Sequence, residues 1–252
     1  MILSKKYKFI FIKGRKVAGT SVEIALSGVC GPDDIITPIT PVDERARMAY
    51  GGGARNYGED RETELAYLRL IAAANSDELG RINLLKGRYR HHMSLREVAQ
   101  AHGDISGFRI VCVERNPYAK LISWANWKVA KAHYLVGGGL RAEEGLLRAY
   151  LAASLADGTA AEARNIDLYR DANGHLGVEV LHYERLARDF ACFVKSLGIA
   201  SVPELPHAKQ GMSASSETAA DFFPPGHRRI INEMFAEEFA AFGYAPADTN
   251  PH

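Results

Sequence analysis

Residues 9–23 read FIFIKGRKVAGTSVE, and the fold turns on how they are parsed. The opening Phe-Ile-Phe-Ile is aromatic, β-branched and bounded by Gly14, which predicts a short buried strand over 7–12. A helix follows over 20–26. A loop that leaves a buried strand and opens a helix aims successive backbone N–H groups at one spot, and the helix N-terminus adds partial positive charge there. Gly19 removes side-chain bulk where the backbone must approach an anion closely. Lys16 supplies a mobile positive charge, and Thr20 and Ser21 supply hydroxyl donors. The stretch reads as a phosphate cradle. It is not a Walker A motif, G-x-x-x-x-G-K-[ST]: Gly14 and Gly19 have that spacing, but Thr20 occupies the lysine position. The competing reading is an ordinary strand-to-helix turn with a Thr or Ser cap.

Residues 109–124, RIVCVERNPYAKLISW, repeat the pattern. A buried strand over 109–113 ends at an arginine, and Pro117 is a helix start signal. The helix continues over 121–132. Arg115 presents a planar fork suited to phosphate or carboxylate, and Ser123 lies two turns along the helix. A local ion pair of Arg115 with Glu114 is the plainer alternative.

Working outward, 82–85 is a strand candidate, and Ser94 with Glu97 forms a capping box for a helix reaching Ala101. A short strand is expected over 178–181, a helix over 183–197 and a final helix over 226–242. Strands alternating with helices predict an α/β fold with a central, mainly parallel sheet flanked by helices, in one domain. Three stretches look irregular: 31–60, the glycines 137–139, and 205–225. The first two read as mobile walls beside a cleft.

Composition narrows the class. The 252 residues carry 31 Lys plus Arg against 30 Asp plus Glu, a net charge of +1. That balance argues against a generic nucleic-acid or membrane-surface binder. Cys30, Cys112 and Cys192 lie far apart, giving neither a disulfide framework nor a zinc site, and Cys112 and Cys192 read as small core residues. No stretch approaches 18 apolar residues. A cytoplasmic protein is expected, membrane-associated at most through its acceptor. His182, His207 and His227 are too dispersed for a metal site. Trp124 and Trp127 read as core or cleft wall, and the pairs Glu143-Glu144, Glu237-Glu238 and Arg228-Arg229 as solvated helix faces.

Taken together, K-x-x-G-T-S near the start and R-N-P-x(5)-S after a later strand resemble the sulfotransferase superfamily, in particular its carbohydrate-type branch and bacterial relatives. The likeness covers nearly the whole chain. HHMSLREV at 91–98 stands where relatives carry K-H-S-S-A-R-E-I. VLHYERLARDF at 180–190 is similar to their Y-E-x-L-x-x-D-F helix, and 205–209 and 242–244 are also similar. The loop departs from the family pattern in having Gly14-Arg15 where Ile-Pro is usual and Val17 where Thr is common. No match extends over 31–61, so the acceptor's identity does not carry over.

The resemblance implies a P-loop-like three-layer fold and 3′-phosphoadenosine 5′-phosphosulfate (PAPS) as co-substrate, with 3′,5′-ADP (PAP) as product and no metal. It implies that Arg15, Lys16, Val17, Ala18, Gly19, Thr20 and Ser21 hold the 5′-phosphosulfate, and that Arg115 and Ser123 hold the 3′-phosphate. Lys16 would neutralise charge on the leaving phosphate. His92 takes the position of the base for an acceptor hydroxyl on a glycan or small molecule, with His91 as the alternative and Glu184 as a structural residue or second acid. Sulfuryl transfer, like phosphoryl transfer, asks chiefly for positioning and charge stabilisation. Two rival functions stay open: a P-loop kinase, and a nucleotide-binding protein without catalysis.

Overall fold

The computed structural model describes residues 1–58, 60–135, 143–206 and 216–248; the glycines 137–139, His207 and the end of the 205–209 motif lie outside them. The architecture is α/β. Five strands, β1 (Ile2–Ser4), β2 (Phe9–Ile12), β3 (Ile35–Ile36), β4 (Arg109–Glu114) and β5 (Glu179–His182), form one sheet in the order β3-β1-β2-β4-β5. The sheet is mixed rather than mainly parallel. β1 runs antiparallel to both β2 and β3, while β2 runs parallel to β4. β1 is an unpredicted strand that folds back on β2 through a turn in which Lys8 is left-handed, φ 54°. Phe9, Ile10, Phe11 and Ile12 are all fully buried, as a continuous apolar run requires in a strand covered on both faces.

The helices are α1 (Gly19–Ser27), α2 (Pro41–Ala49), α3 (Arg61–Ala73), α4 (Ser76–Leu79), α5 (Leu95–His102), α6 (Pro117–Leu135), α7 (Glu144–Ala156), α8 (Ile166–Tyr169), α9 (Leu186–Ser196), α10 (Ser216–Asp221), α11 (Pro225–Met234) and α12 (Ala236–Phe242). Both sequence-read helix starts hold. Ser94 and Glu97 make the reciprocal capping box of α5, and the Asn116 side chain accepts from the Tyr118 amide at 3.0 Å ahead of α6.

Several expectations are corrected. Residues 82–85 form no strand; Ile82 and Leu85 pack instead on the cluster of Tyr67, Ile71, Ala74 and Leu79. Residues 31–60 are not a loose wall. They hold β3 and α2, with Pro41 at the first helical turn and Thr40 capping it, and buried Glu44 accepts the Ala54 amide at 2.9 Å. The C-terminal helix breaks at Phe235 into α11 and α12. Cys192 is exposed, not core. Glu238 is fully buried, unlike its solvated neighbour Glu237.

The chain divides into two compact units, each assembled from separate segments. One comprises Met1–Gly14, Ala18–Val113 and Asp167–Ala208 and contains nearly all of the sheet. The other comprises Arg15–Val17, Glu114–Ile166 and Lys209–His252. The second has its own core, in which Tyr118, Leu121 and Trp124 of α6 cluster with Leu151 and Leu155 of α7 and with Ile231, Phe235 and Phe239.

Candidate active site

The parallel β2–β4 pairing sets Ile12 opposite Cys112. The loops that follow the two strands therefore start from the same sheet edge, the edge at which α/β sheets bind ligands. Lys13 leaves β2 first and turns inward. It is only 6% exposed, and its Nζ donates to Glu23 Oε2 of α1 at 2.6 Å. Glu23 also accepts from the Met1 nitrogen. Burial alone would raise the Glu23 carboxyl, but the Lys13 charge and the other cations around it hold it well below the usual range. A Cβ on Gly19 would lie 2.9 Å from Lys13 Cγ. Gly19 thus makes room for the lysine chain crossing over it.

His92 stands on the same residue. Its Nδ1 lies 2.8 Å from the Lys13 carbonyl oxygen. A carbonyl only accepts, so Nδ1 carries the proton and Nε2 presents its lone pair. Burial, followed by the nearby Lys13 charge, lowers the His92 pKa from 6.5 to about 3, so the ring is neutral near pH 7. His92 is left-handed, φ 57°, which is uncommon for a residue with a side chain. The His91 ring packs edge-on against it, with centroids 4.9 Å apart. The tautomer of His92 is thus set by a backbone carbonyl.

Past Gly14 the loop is held by a residue far along the chain. Asn165 Oδ1 accepts from the Arg15 amide at 2.8 Å, and its Nδ2 donates to the Arg15 carbonyl at 3.1 Å and to Glu114 Oε1 at 2.9 Å. Lys16 and Ala18 are both left-handed, φ 61° and 64°. Two such residues in one short loop store backbone strain of the kind found at ligand clamps. The Val17 side chain is fully buried, which accounts for an apolar residue at that position. No side chain caps α1, and no acid lies in its first turn, so its partial positive charge is not offset locally. Thr20 is partly exposed at this N-terminus, while Ser21 is buried.

Lys16 feels the charge of Arg115. Burial and then the Arg115 charge lower the Lys16 pKa. Ser123 is partly exposed on α6. Below Arg115 lies a charged cluster that the sequence reading missed. Lys120 Nζ bridges Glu114 Oε2 at 2.8 Å and Glu238 Oε2 at 2.6 Å, all three side chains fully buried. Burial would lower the Lys120 pKa, but the two carboxylates outweigh it and raise it. Glu114 also accepts from the Arg115 amide at 3.3 Å, so the cluster is tied to the backbone at Arg115.

No family model, no curated protein and no solved structure matches the chain.

The remaining sequence candidates fall elsewhere. Glu184 is exposed in a short 3₁₀ turn ahead of α9. In the 183–190 motif, Asp189 has the structural part: it accepts the His182 amide at 3.0 Å and pairs with Arg185. Arg228 is drawn inward to the carbonyls of Ala220 and Phe223. Among the described residues no group of three or more His, Cys, Asp and Glu is gathered to hold a metal ion. Asn165 had no sequence signal, because its partner Arg15 lies 150 residues away. Lys120 had one: a lysine on the apolar stretch that opens α6.

Proposed function

We propose that the chain moves the sulfuryl group of PAPS to an acceptor hydroxyl on a glycan or small molecule, within a P-loop-like three-layer fold. The observation that carries this reading is the Lys16 ammonium on its left-handed loop residue, its pKa lowered first by burial and then by the Arg115 charge. An anion beside Lys16 offsets both effects, and a nucleotide with phosphate at both its 3′ and 5′ positions would offer one group there and another to Arg115. The residues present fit that group. Amides of 17–21 at the uncapped start of α1 would take the 5′-phosphate, and Arg115 with Ser123 the 3′-phosphate.

PAPS supplies an activated sulfuryl group; the chain's residues position and neutralise. The neutral His92 would take the acceptor's hydroxyl proton at Nε2 as an oxygen–sulfur bond forms and the bond from sulfur to the bridging phosphate oxygen breaks. Lys16 would neutralise the charge left on that oxygen of the departing PAP. The Nδ1–H bond to the Lys13 carbonyl leaves the lone pair of the neutral ring at Nε2. A positioned general base contributes about 10²–10⁴-fold in rate.

Calorimetry with 3′,5′-ADP, 5′-ADP and ATP tests the reading. Tightest binding of 3′,5′-ADP supports it. Tightest binding of ATP in the presence of Mg²⁺ would replace it with phosphoryl transfer.

A further inference from the structure

The two tryptophans of α6 have opposite fates. Trp124 is 2% exposed, in the core, whereas Trp127 is 46% exposed. Three ammonium groups surround the exposed ring: Lys131 at 5.4 Å, Lys16 at 5.7 Å and Lys128 at 5.9 Å from its centroid. Each is attracted to the indole face, but the three cations repel one another. Among the described residues only Lys128 of the three is in an ion pair, with Glu162 at 2.6 Å. Ser123, Trp127 and Lys131 succeed one another at four-residue spacing, so they form one stripe along α6.

The stripe has an order. Arg115 acts on Lys16, Lys16 lies over Trp127, and Trp127 lies under Lys131. The Arg115 end faces the nucleotide in the reading above, and the Lys131 end lies beyond the reacting lysine. We infer that Trp127 and Lys131 form the acceptor subsite, and that the acceptor is a ring compound carrying a carboxylate, sulfate or phosphate as well as its hydroxyl. The ring lies on the indole, the anionic group meets Lys131, and the hydroxyl is directed towards Lys16. Placing the acceptor rests on the sulfuryl-transfer reading; the affinity of the stripe for an anionic ring does not.

The test is calorimetric titration of the nucleotide-free protein. One arm uses 4-hydroxyphenylacetate against neutral 4-hydroxybenzyl alcohol. The other uses methyl β-glucuronide against neutral methyl β-glucoside. The expected result is that at least one acid binds at least about tenfold more tightly than its neutral partner, and the arm that responds tells an aryl acid from a sugar acid. Trp127→Ala and Lys131→Glu each weaken that acid about tenfold, while Trp127→Phe stays within about threefold of the native protein. The affinity of Trp127→Ala for 3′,5′-ADP stays within about twofold. Trp127 is half-exposed, so its removal is expected to leave the thermal midpoint in place. Failure of both acids to bind, equal binding of neutral partners, or native affinity in both variants overturns the inference. So does loss of 3′,5′-ADP binding in Trp127→Ala, which gives the indole to the nucleotide. Acid binding at Trp127 in a protein indifferent to 3′,5′-ADP would end the sulfuryl-transfer reading and leave the anionic-ring subsite standing.

Discussion

Asn165 grips the backbone of Arg15 from both sides, accepting from its amide at 2.8 Å and donating to its carbonyl at 3.1 Å. Asn165 is itself 1% exposed, so the grip is desolvated and stiff. Replacing it with alanine strands the Arg15 groups and removes a donor from Glu114. Asn165→Ala is expected to cost about 1–3 kcal/mol of unfolding free energy and to weaken 3′,5′-ADP binding, because Lys16 follows directly. Denaturant melts and calorimetry read the two effects. A variant that loses stability but keeps full nucleotide affinity would show that the grip serves folding alone.

On the proposed reading, a preference for the 3′-phosphate is expected to reside in Arg115. Thermal stabilisation by 3′,5′-ADP is expected to exceed that by 5′-ADP at equal concentration. Arg115→Ala should erase most of the difference, since a charged hydrogen bond contributes about 1.5–3 kcal/mol. Equal stabilisation of the native protein by both nucleotides would remove the 3′-phosphate from the argument.

The depressed His92 pKa has a signed consequence. Its folded value, about 3, lies below the 6.5 of an ordinary histidine. Between those two values the unfolded chain holds the extra proton, so this residue makes stability rise with pH across that window. His92→Gln should flatten the dependence between pH 4.5 and 7, measured by urea unfolding at each pH. His92→Ala should lower sulfuryl transfer by about 10²-fold or more and leave 3′,5′-ADP affinity nearly unchanged. A dead His91→Ala beside an active His92→Ala would transfer the base to His91.

Much of this site was readable along the chain. Both strand–loop–helix units and the Ser94–Glu97 box follow from local signals: apolar runs, a glycine, a proline and caps. What escaped was non-local or ambiguous. β1 and β3 have three and two residues, too few to show a period. Ile82 and Leu85 have strand-like composition but are claimed by the α3 cluster. Glu237 and Glu238 are adjacent and chemically identical, yet only helix phase sends one to water and the other to Lys120.

That buried cluster yields a further expectation. Lys120→Met leaves Glu114 and Glu238 facing each other without their cation, which is expected to cost about 3–5 kcal/mol near pH 7. Urea unfolding curves at pH 7 check this; a loss under about 1 kcal/mol would mean that the two acids are supported without the lysine.

The crossing of Lys13 over Gly19 changes what a glycine in this loop is evidence of. A methyl group at position 19 would push on the Lys13 stem at 2.9 Å. The displacement would pass to Glu23 through the ammonium and to His92 through the carbonyl. Drift at position 19 is therefore barred by neighbours inside the protein, with or without a phosphate outside it. A relative of this chain with no nucleotide to bind would still keep that glycine, because the side chains that need the space belong to the protein itself.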